Sequence, residues 1–323
     1  MPSIHITKPC IKWVGGKTQI LDKLLPMFPR EINNYHEPFL GGGSVLLALL
    51  SHVKAGSITI KGHVYASDLN EPLVHLYKNI QLRHVELYNK IKEYVDEYGS
   101  CTGAGTGAGT GAGTGTGTGS SVNRKPTNID EARSCKESYY YWIRIQYNKL
   151  SKDEKNSIVG SAMLLFMNKT GFRGVFRVGP NGYNVPYGHY TNPEIVNLEH
   201  LTEIHDLIQG VVFEAADFST SMSCVADGDF VYLDPPYAPE TAKSFVGYNE
   251  AGFDLQQHKK LFTLCNDVTS RGQFIMSNSD VDLVRENFNP DKYTICSILC
   301  KRSINSTDPG AKAKEVIITY LPR

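Results

Sequence analysis

The sequence predicts an α/β fold in which a strand-and-helix sheet is split by a helical insertion. Three observations predict it. Short apolar runs alternate with stretches of helical period near both ends of the chain, whereas the middle carries helical periodicity alone. The run "FVYLDPPYAP", residues 230–239, reads as a buried strand stopped by an acid and two prolines. Proline lacks the N–H a central strand needs, so the chain leaves the sheet rigidly there. In open α/β sheets, ligands bind beyond the carboxyl ends of the strands.

Taken in order, 34–42 and 63–70 read as short strands ending in glycine or acid, and 44–53 as the buried helix between them. Residues 71–98 and 134–150 carry apolar side chains at helical spacing, and 157–169 continue the helical region. The alternation then returns: helix 193–208, strands 211–217 and 230–234, helix 255–271 and strand 273–278. A last pair, 293–303 and 315–321, brackets a polar loop and reads as a hairpin. The expected organisation is a sheet-bearing domain of residues 1–69 and 193–323 and a helical domain of residues 70–192. Within the latter, glycine occupies every odd position from Gly103 to Gly119. Such a stretch has nothing large to bury, and each glycine adds backbone entropy to be lost on folding. Residues 102–121 therefore read as a flexible insertion.

Lys+Arg and Asp+Glu balance at 33 each over 323 residues, so net charge alone calls for no polyanionic partner. The distribution is uneven: residues 121–192 hold 11 Lys/Arg against 5 Asp/Glu, and no acid occurs from Lys155 to Pro193. A basic middle fits either a localised nucleic-acid surface or an ordinary solvated face. The seven cysteines form no CxxC and no His pairing at metal-ligand spacing, which points to reduced thiols, a cytosolic setting and no metal site. No leader-like apolar segment and no apolar run of ~18 residues occurs, so neither secretion nor a membrane span is expected.

"EPFLGGGSV" sets Gly41 and Gly43 between a strand and a helix beginning at Ser44, which lets a ligand approach the backbone near a helix N-terminus. It is not a dinucleotide fingerprint, because Leu46 stands where the third glycine belongs. Asp68 closes the next strand, where a carboxylate can accept both hydrogen bonds of a ribose diol. Alone, these two features fit a nicotinamide dehydrogenase as well as a methyltransferase. "KWVGGKTQI" is no phosphate loop, since Ile11 replaces the required first glycine. Asp234-Pro235-Pro236-Tyr237 separates the readings. The Asp234 carboxylate and the Pro235 carbonyl can accept both hydrogens of a planar aromatic amine, favouring a pyramidal nitrogen with its lone pair directed outward. Tyr237 can stack on the ring and fix its plane.

With these residues in place, the chain resembles the Dam-type, D12-class N6-adenine DNA methyltransferases of the alpha group. The resemblance rests on six ordered motifs: "KWVGGK", "EPFLGGGSV", "ASDLN", "NKTGFRGVFRVGPNGYNVPYG", "DPPYAP" and "KRSINS". It implies a Rossmann-like S-adenosylmethionine-dependent methyltransferase sheet with an inserted helical DNA-recognition domain. Trp13, Lys17, Phe39, Gly41, Gly43, Asp68, Asp217, Phe218 and Asp234 would surround S-adenosylmethionine, without a metal. Asp234, Pro235 and Tyr237 would hold the target amine. Lys12, Lys169, Phe172, Arg173, Val175, Arg177, Lys301 and Arg302 would meet double-stranded DNA.

One departure concerns the recognition hairpin. Arg173 stands where members that read GATC typically carry Asn, so GATC and another short palindrome such as CATG are both open. A cognate restriction endonuclease is an open partner. An RNA-modifying enzyme using the same amine chemistry and a catalytically silent DNA-binding module are the alternatives, the first opposed by the hairpin and the second by the intact site residues.

Overall fold

The computed structural model describes residues 4–101, 122–239, 253–301 and 312–321. The glycine-rich insertion and Arg302 lie outside the described residues. The chain divides into two compact units, Met1–Ile6 with Lys17–Asn70 and Gly210–Arg323, and Thr7–Gly16 with Glu71–Gln209.

The first unit is built on a seven-stranded sheet. Its strands, numbered along the chain, are β1 (Tyr35–Glu37), β2 (Val64–Asp68), β3 (Val211–Ala215), β4 (Phe230–Leu233), β5 (Gln273–Ser279), β6 (Thr294–Lys301) and β7 (Lys312–Tyr320). In space they run β3-β2-β1-β4-β5-β7-β6. β1 to β5 are parallel, and β7 enters antiparallel between β5 and β6. The expected hairpin of the last two strands is therefore present, with its second strand inside the sheet.

β4 is buried at every position and β5 at all but its first, as apolar runs covered on both faces should be. The helix Leu255–Val268 covers part of this core with Leu261, Phe262, Cys265 and Val268, which meet Phe274, Met276 and Val316. The helix Ser44–Lys54 buries all of residues 44–51. β1 is shorter than the expected strand 34–42, because Pro38 cannot extend the ladder.

The second unit is helical, with a two-strand hairpin of Val178–Gly179 and Gly182–Tyr183. Its centre is the helix Ile158–Thr170, buried on nearly all sides and capped by Ser157, whose side chain accepts from the Gly160 amide. Tyr98, Tyr139 and Phe166 pack edge-on or tilted at its heart. The continuous periodicity of 71–98 gives one run, Glu71–Ser100, but the backbone breaks at Arg83 (φ −146°, ψ 38°), so two helices meet there. The helix expected over 193–208 begins five residues late, at Leu198. Asn197 is the true N-cap, its side chain accepting from His200, and Pro193 lies in the irregular lead-in. No helix among the described residues is long and apolar enough to cross a membrane.

Candidate active site

In the sheet unit, strand order reverses between β1 and β4, and the ends of those two strands open the crevice that such a switch point creates. The loop after β1 turns through Gly41 (φ 49°) and Gly43 (φ 71°), a left-handed backbone that side chains resist. Gly43 caps the helix Ser44–Lys54, its carbonyl accepting from the Leu47 amide. Asp68, at the end of β2, ties the loop down: Oδ2 accepts from the Gly41 amide at 2.9 Å and Oδ1 from the Asn70 amide at 2.9 Å. Burial raises the Asp68 pKa and these backbone donors oppose the rise. The Leu69 backbone adds to these donors, and the acceptor capacity the carboxylate has left at the end of β2 suits a ribose hydroxyl.

Asp234 follows β4 directly. Lys17, buried at 6% exposure, donates from Nζ to Asp234 Oδ2 at 2.7 Å, while its own amide donates to Ser44 Oγ at 3.1 Å. Asp234 Oδ1 has no hydrogen-bond partner among the described residues. Burial raises the Asp234 pKa, and the Lys17 ammonium works against this by favouring the carboxylate. The same ammonium lies 5.1 Å from the Tyr237 ring centroid. Pro235 is buried and Pro236 exposed. Tyr237 donates its hydroxyl to Glu315 Oε2 of β7 at 2.8 Å. Asn278, fully buried near the end of β5, accepts the Ala238 amide at 3.0 Å and so pins the loop from behind.

A third group lies at the start of the helix Phe218–Ser223. Phe39 stacks on Phe218 with ring centroids 5.4 Å apart, and Phe253 closes against both. Asp217 caps this helix through the Ser219 amide at 3.0 Å, with Lys260 Nζ 3.5 Å away. An apolar face beside a capped acid fits the plane and edge of a purine. No group of three or more His, Cys, Asp or Glu among the described residues is placed to hold a metal ion.

Glu37, which sequence reasoning passed over, ends β1 between these groups. It is 2% exposed and accepts from the Tyr35 hydroxyl at 2.7 Å. Burial pushes its carboxyl up to about 8, against the Tyr35 hydrogen bond and with help from the Asp234 and Asp68 charges. A carboxyl with a folded pKa above its unfolded value holds its proton more tightly in the folded state. The stability it contributes is complete below the ordinary value of 4.5 and is lost as pH climbs toward about 8. Glu37→Gln should therefore lose less melting temperature than the wild type between about pH 6 and pH 9, by a few degrees. Parallel melting curves for both proteins would refute the assignment. An acid closing a strand is the signal that marked Asp68, and it marks Glu37 equally.

In the helical unit, the turn that follows the helix Ile158–Thr170 carries the residues expected to meet DNA. Phe172, Arg173 and Arg177 are exposed and Val175 is half-buried. Arg173 adopts φ 55° and Gly174 φ 63°. The left-handed region favours Gly and Asn over Arg, so the residue that distinguishes this hairpin occupies a conformation its side chain disfavours. Arg177 spends Nε and one terminal nitrogen on Asn184, at 2.6 and 3.2 Å, which leaves the end of the guanidinium to donate elsewhere. Lys12 is exposed, with Nζ 4.3 Å from the Tyr190 ring centroid, and Lys169 is half-buried, its pKa lowered by burial. Trp13, expected at the cofactor, belongs to this unit, where it stacks on Phe176 at 5.6 Å. Lys301 ends β6.

The family described as D12 class N6 adenine-specific DNA methyltransferase matches residues 13–103 and 120–304. The chain is 31% identical to the type II methyltransferase M.MjaIII of Methanocaldococcus jannaschii, over 97% of this chain and 98% of that protein. It is 26% identical to the type II methyltransferase M1.LlaDCHI of Lactococcus lactis subsp. cremoris and 27% identical to the DNA adenine methylase of Escherichia coli K12, each over 97% of this chain and 95% of the relative.

Proposed function

This chain belongs to the D12 class of N6-adenine-specific DNA methyltransferases, and from that premise we propose how its residues divide the work. The substrate is a short palindromic duplex site, GATC or another such as CATG, and the methyl donor is S-adenosylmethionine. The observation that carries this reading is Asp234, with one carboxylate oxygen held by Lys17 and the other without a partner among the described residues.

When bound, S-adenosylmethionine would supply an electrophilic sulfonium methyl, whose C–S bond breaks as the N–C bond forms so that a neutral thioether departs. Asp68 would hold the cofactor's ribose hydroxyls, Phe39, Phe218 and Asp217 its adenine, and the glycine loop its methionine part. Because the target amine is otherwise paired and stacked, the adenine must leave the duplex to be reached. Asp234 Oδ1 and the Pro235 carbonyl then take the two amine hydrogens, which draws the nitrogen out of conjugation and aims its lone pair. Tyr237, held through its hydroxyl by Glu315, supports the base plane. Once the nitrogen carries the methyl group its surplus proton lies at Asp234 Oδ1, the acceptor already in contact with it. These interactions strengthen as charge develops on nitrogen, which is what lowers a barrier rather than merely binding substrate. Phe172, Arg173, Val175 and Arg177 read the major groove, and Lys12, Lys169, Lys301 and Arg302 contribute positive charge. The location that goes with this reading is the cytoplasm, of a bacterium or, for a viral protein, of its host cell, and a restriction endonuclease with the same site is the partner to look for.

Sequencing modified bases in DNA treated with the purified protein and S-adenosylmethionine tests the reading. N6-methyladenine confined to one short palindrome is expected, and modification scattered without a site would overturn it. Arg177→Ala should then relax one base of that site by ~5- to 150-fold, the range a bidentate arginine–guanine pair supplies. Uniform weakening at every site with a shallower salt dependence would place Arg177 on phosphate instead.

A further inference from the structure

Asn168 sits two residues before the end of the helix Ile158–Thr170 and is 2% exposed. A buried side-chain amide is costly unless its groups are paired, and here they are. Its Oδ1 accepts the Lys12 amide at 2.9 Å, and its Nδ2 donates both to the Lys12 carbonyl at 2.8 Å and to the Gly174 carbonyl at 2.7 Å. One side chain thus binds both main-chain groups of Lys12 and the middle of the left-handed turn. The fit around it is close: a Cβ at Gly174 would lie 2.6 Å from Lys12 Cβ. Trp13 stacked on Phe176 joins the same two strands of chain a second time.

The turn needs such a tie. Arg173 and Gly174 are consecutive residues at positive φ, and the Gly174 and Val175 amides close the turn locally, at 3.2 and 3.3 Å. Its two ends are fastened by the Phe172 amide, which donates to the Pro186 carbonyl at 2.8 Å, and by the Tyr183 hydroxyl, which donates to the Val175 carbonyl at 3.2 Å. An arginine does not hold that backbone by preference, so a contact from outside the turn must hold it. We propose that Asn168 is a specificity-determining positioning residue. It holds the Lys12 main chain and the turn of residues 172–177 as one rigid reading head, and it sets sequence discrimination without touching DNA. This rests on the reading that the turn contacts bases. Discrimination between bases depends on donor positions fixed to a fraction of an ångström, so loosening the turn costs the recognised site its advantage more than it costs methyl transfer itself.

The test compares full-length wild type, Asn168→Ala, Asn168→Asp and Gly174→Ala, with Arg173→Ala and Arg177→Ala as controls. Measured are kcat/KM on the recognised duplex and on each of its single-base variants, S-adenosylmethionine affinity, and melting temperature. The ratio of recognised to altered site should fall about tenfold at one or more positions in the Asn168 variants, the scale of one good base contact, with cofactor affinity unchanged. Asn168→Asp keeps the shape and the acceptor while removing both donors, and Gly174→Ala disturbs the same joint from the other side, so failure of Asn168→Ala to fold leaves the question answerable. An equal loss on all duplexes, or unchanged ratios beside altered ratios in the arginine controls, overturns the role of Asn168. Unchanged ratios in the arginine controls as well would overturn the base-reading turn, and this proposal with it.

Discussion

Asp234→Ala should leave a folded protein whose turnover is reduced by ~10²–10³-fold or more, the loss seen when a preorganised polar contact to developing charge is removed. The substitution takes away the acceptor proposed for the amine and also the carboxylate that pairs with the buried Lys17 ammonium. Breaking a buried pair from one side costs up to ~3–5 kcal/mol, so the melting temperature should drop as well. Asp234→Asn separates the two effects. It keeps the shape and one neutral acceptor while losing the charge, so its turnover should fall between wild type and Asp234→Ala. Measurement at saturating S-adenosylmethionine and duplex, with melting curves for both variants, checks this. Near-normal turnover in Asp234→Ala would remove the residue from the chemistry.

The second large effect is on cofactor affinity. Asp68→Ala removes a charged acceptor from the ribose diol and leaves the Gly41 and Asn70 amides without their carboxylate. Hydrogen bonds to a charged group contribute ~1.5–3 kcal/mol each, so S-adenosylmethionine should bind at least ~10²-fold more weakly. Asp68→Asn can still accept from the Gly41 amide and should lose less. Titration calorimetry with the cofactor alone reads this directly, and an unchanged Kd in Asp68→Ala would place the ribose elsewhere.

Much of this site was legible because it is local in sequence. A glycine loop after a strand, an acid closing the next strand and a proline-stopped strand each announce themselves within ten residues, and the sheet unit brings Lys17, Asp234 and Tyr237 together. The parts that were not legible depend on partners far along the chain. Glu315 meets Tyr237 across 78 residues and Asn168 meets Lys12 across 156. No local pattern distinguishes those side chains from any other Glu or Asn. Trp13 stands four residues before Lys17 in one short motif, and its stacking on Phe176 in the helical unit is another contact no local pattern announces. The break at Arg83 escaped because the apolar periodicity continues through it, and the start at Leu198 because Asn197 is a stronger cap than anything at Pro193.

The antiparallel strand β7 lies between β5 and β6 although it follows both in the chain. During synthesis, β1 to β5 leave the ribosome able to pair with one another, but β6 emerges with no neighbour to join. Until residues 312–320 appear, β5 presents an open ladder of N–H and C=O groups, and so does β6, the kind of surface that recruits other nascent chains. The same strand also delivers Glu315, the partner of Tyr237. The joining of β5 to β6 and the Glu315 contact to Tyr237 thus both wait on β7, and a nascent chain halted before residue 312 would have most of its core yet neither a continuous seven-stranded sheet nor a set tyrosine.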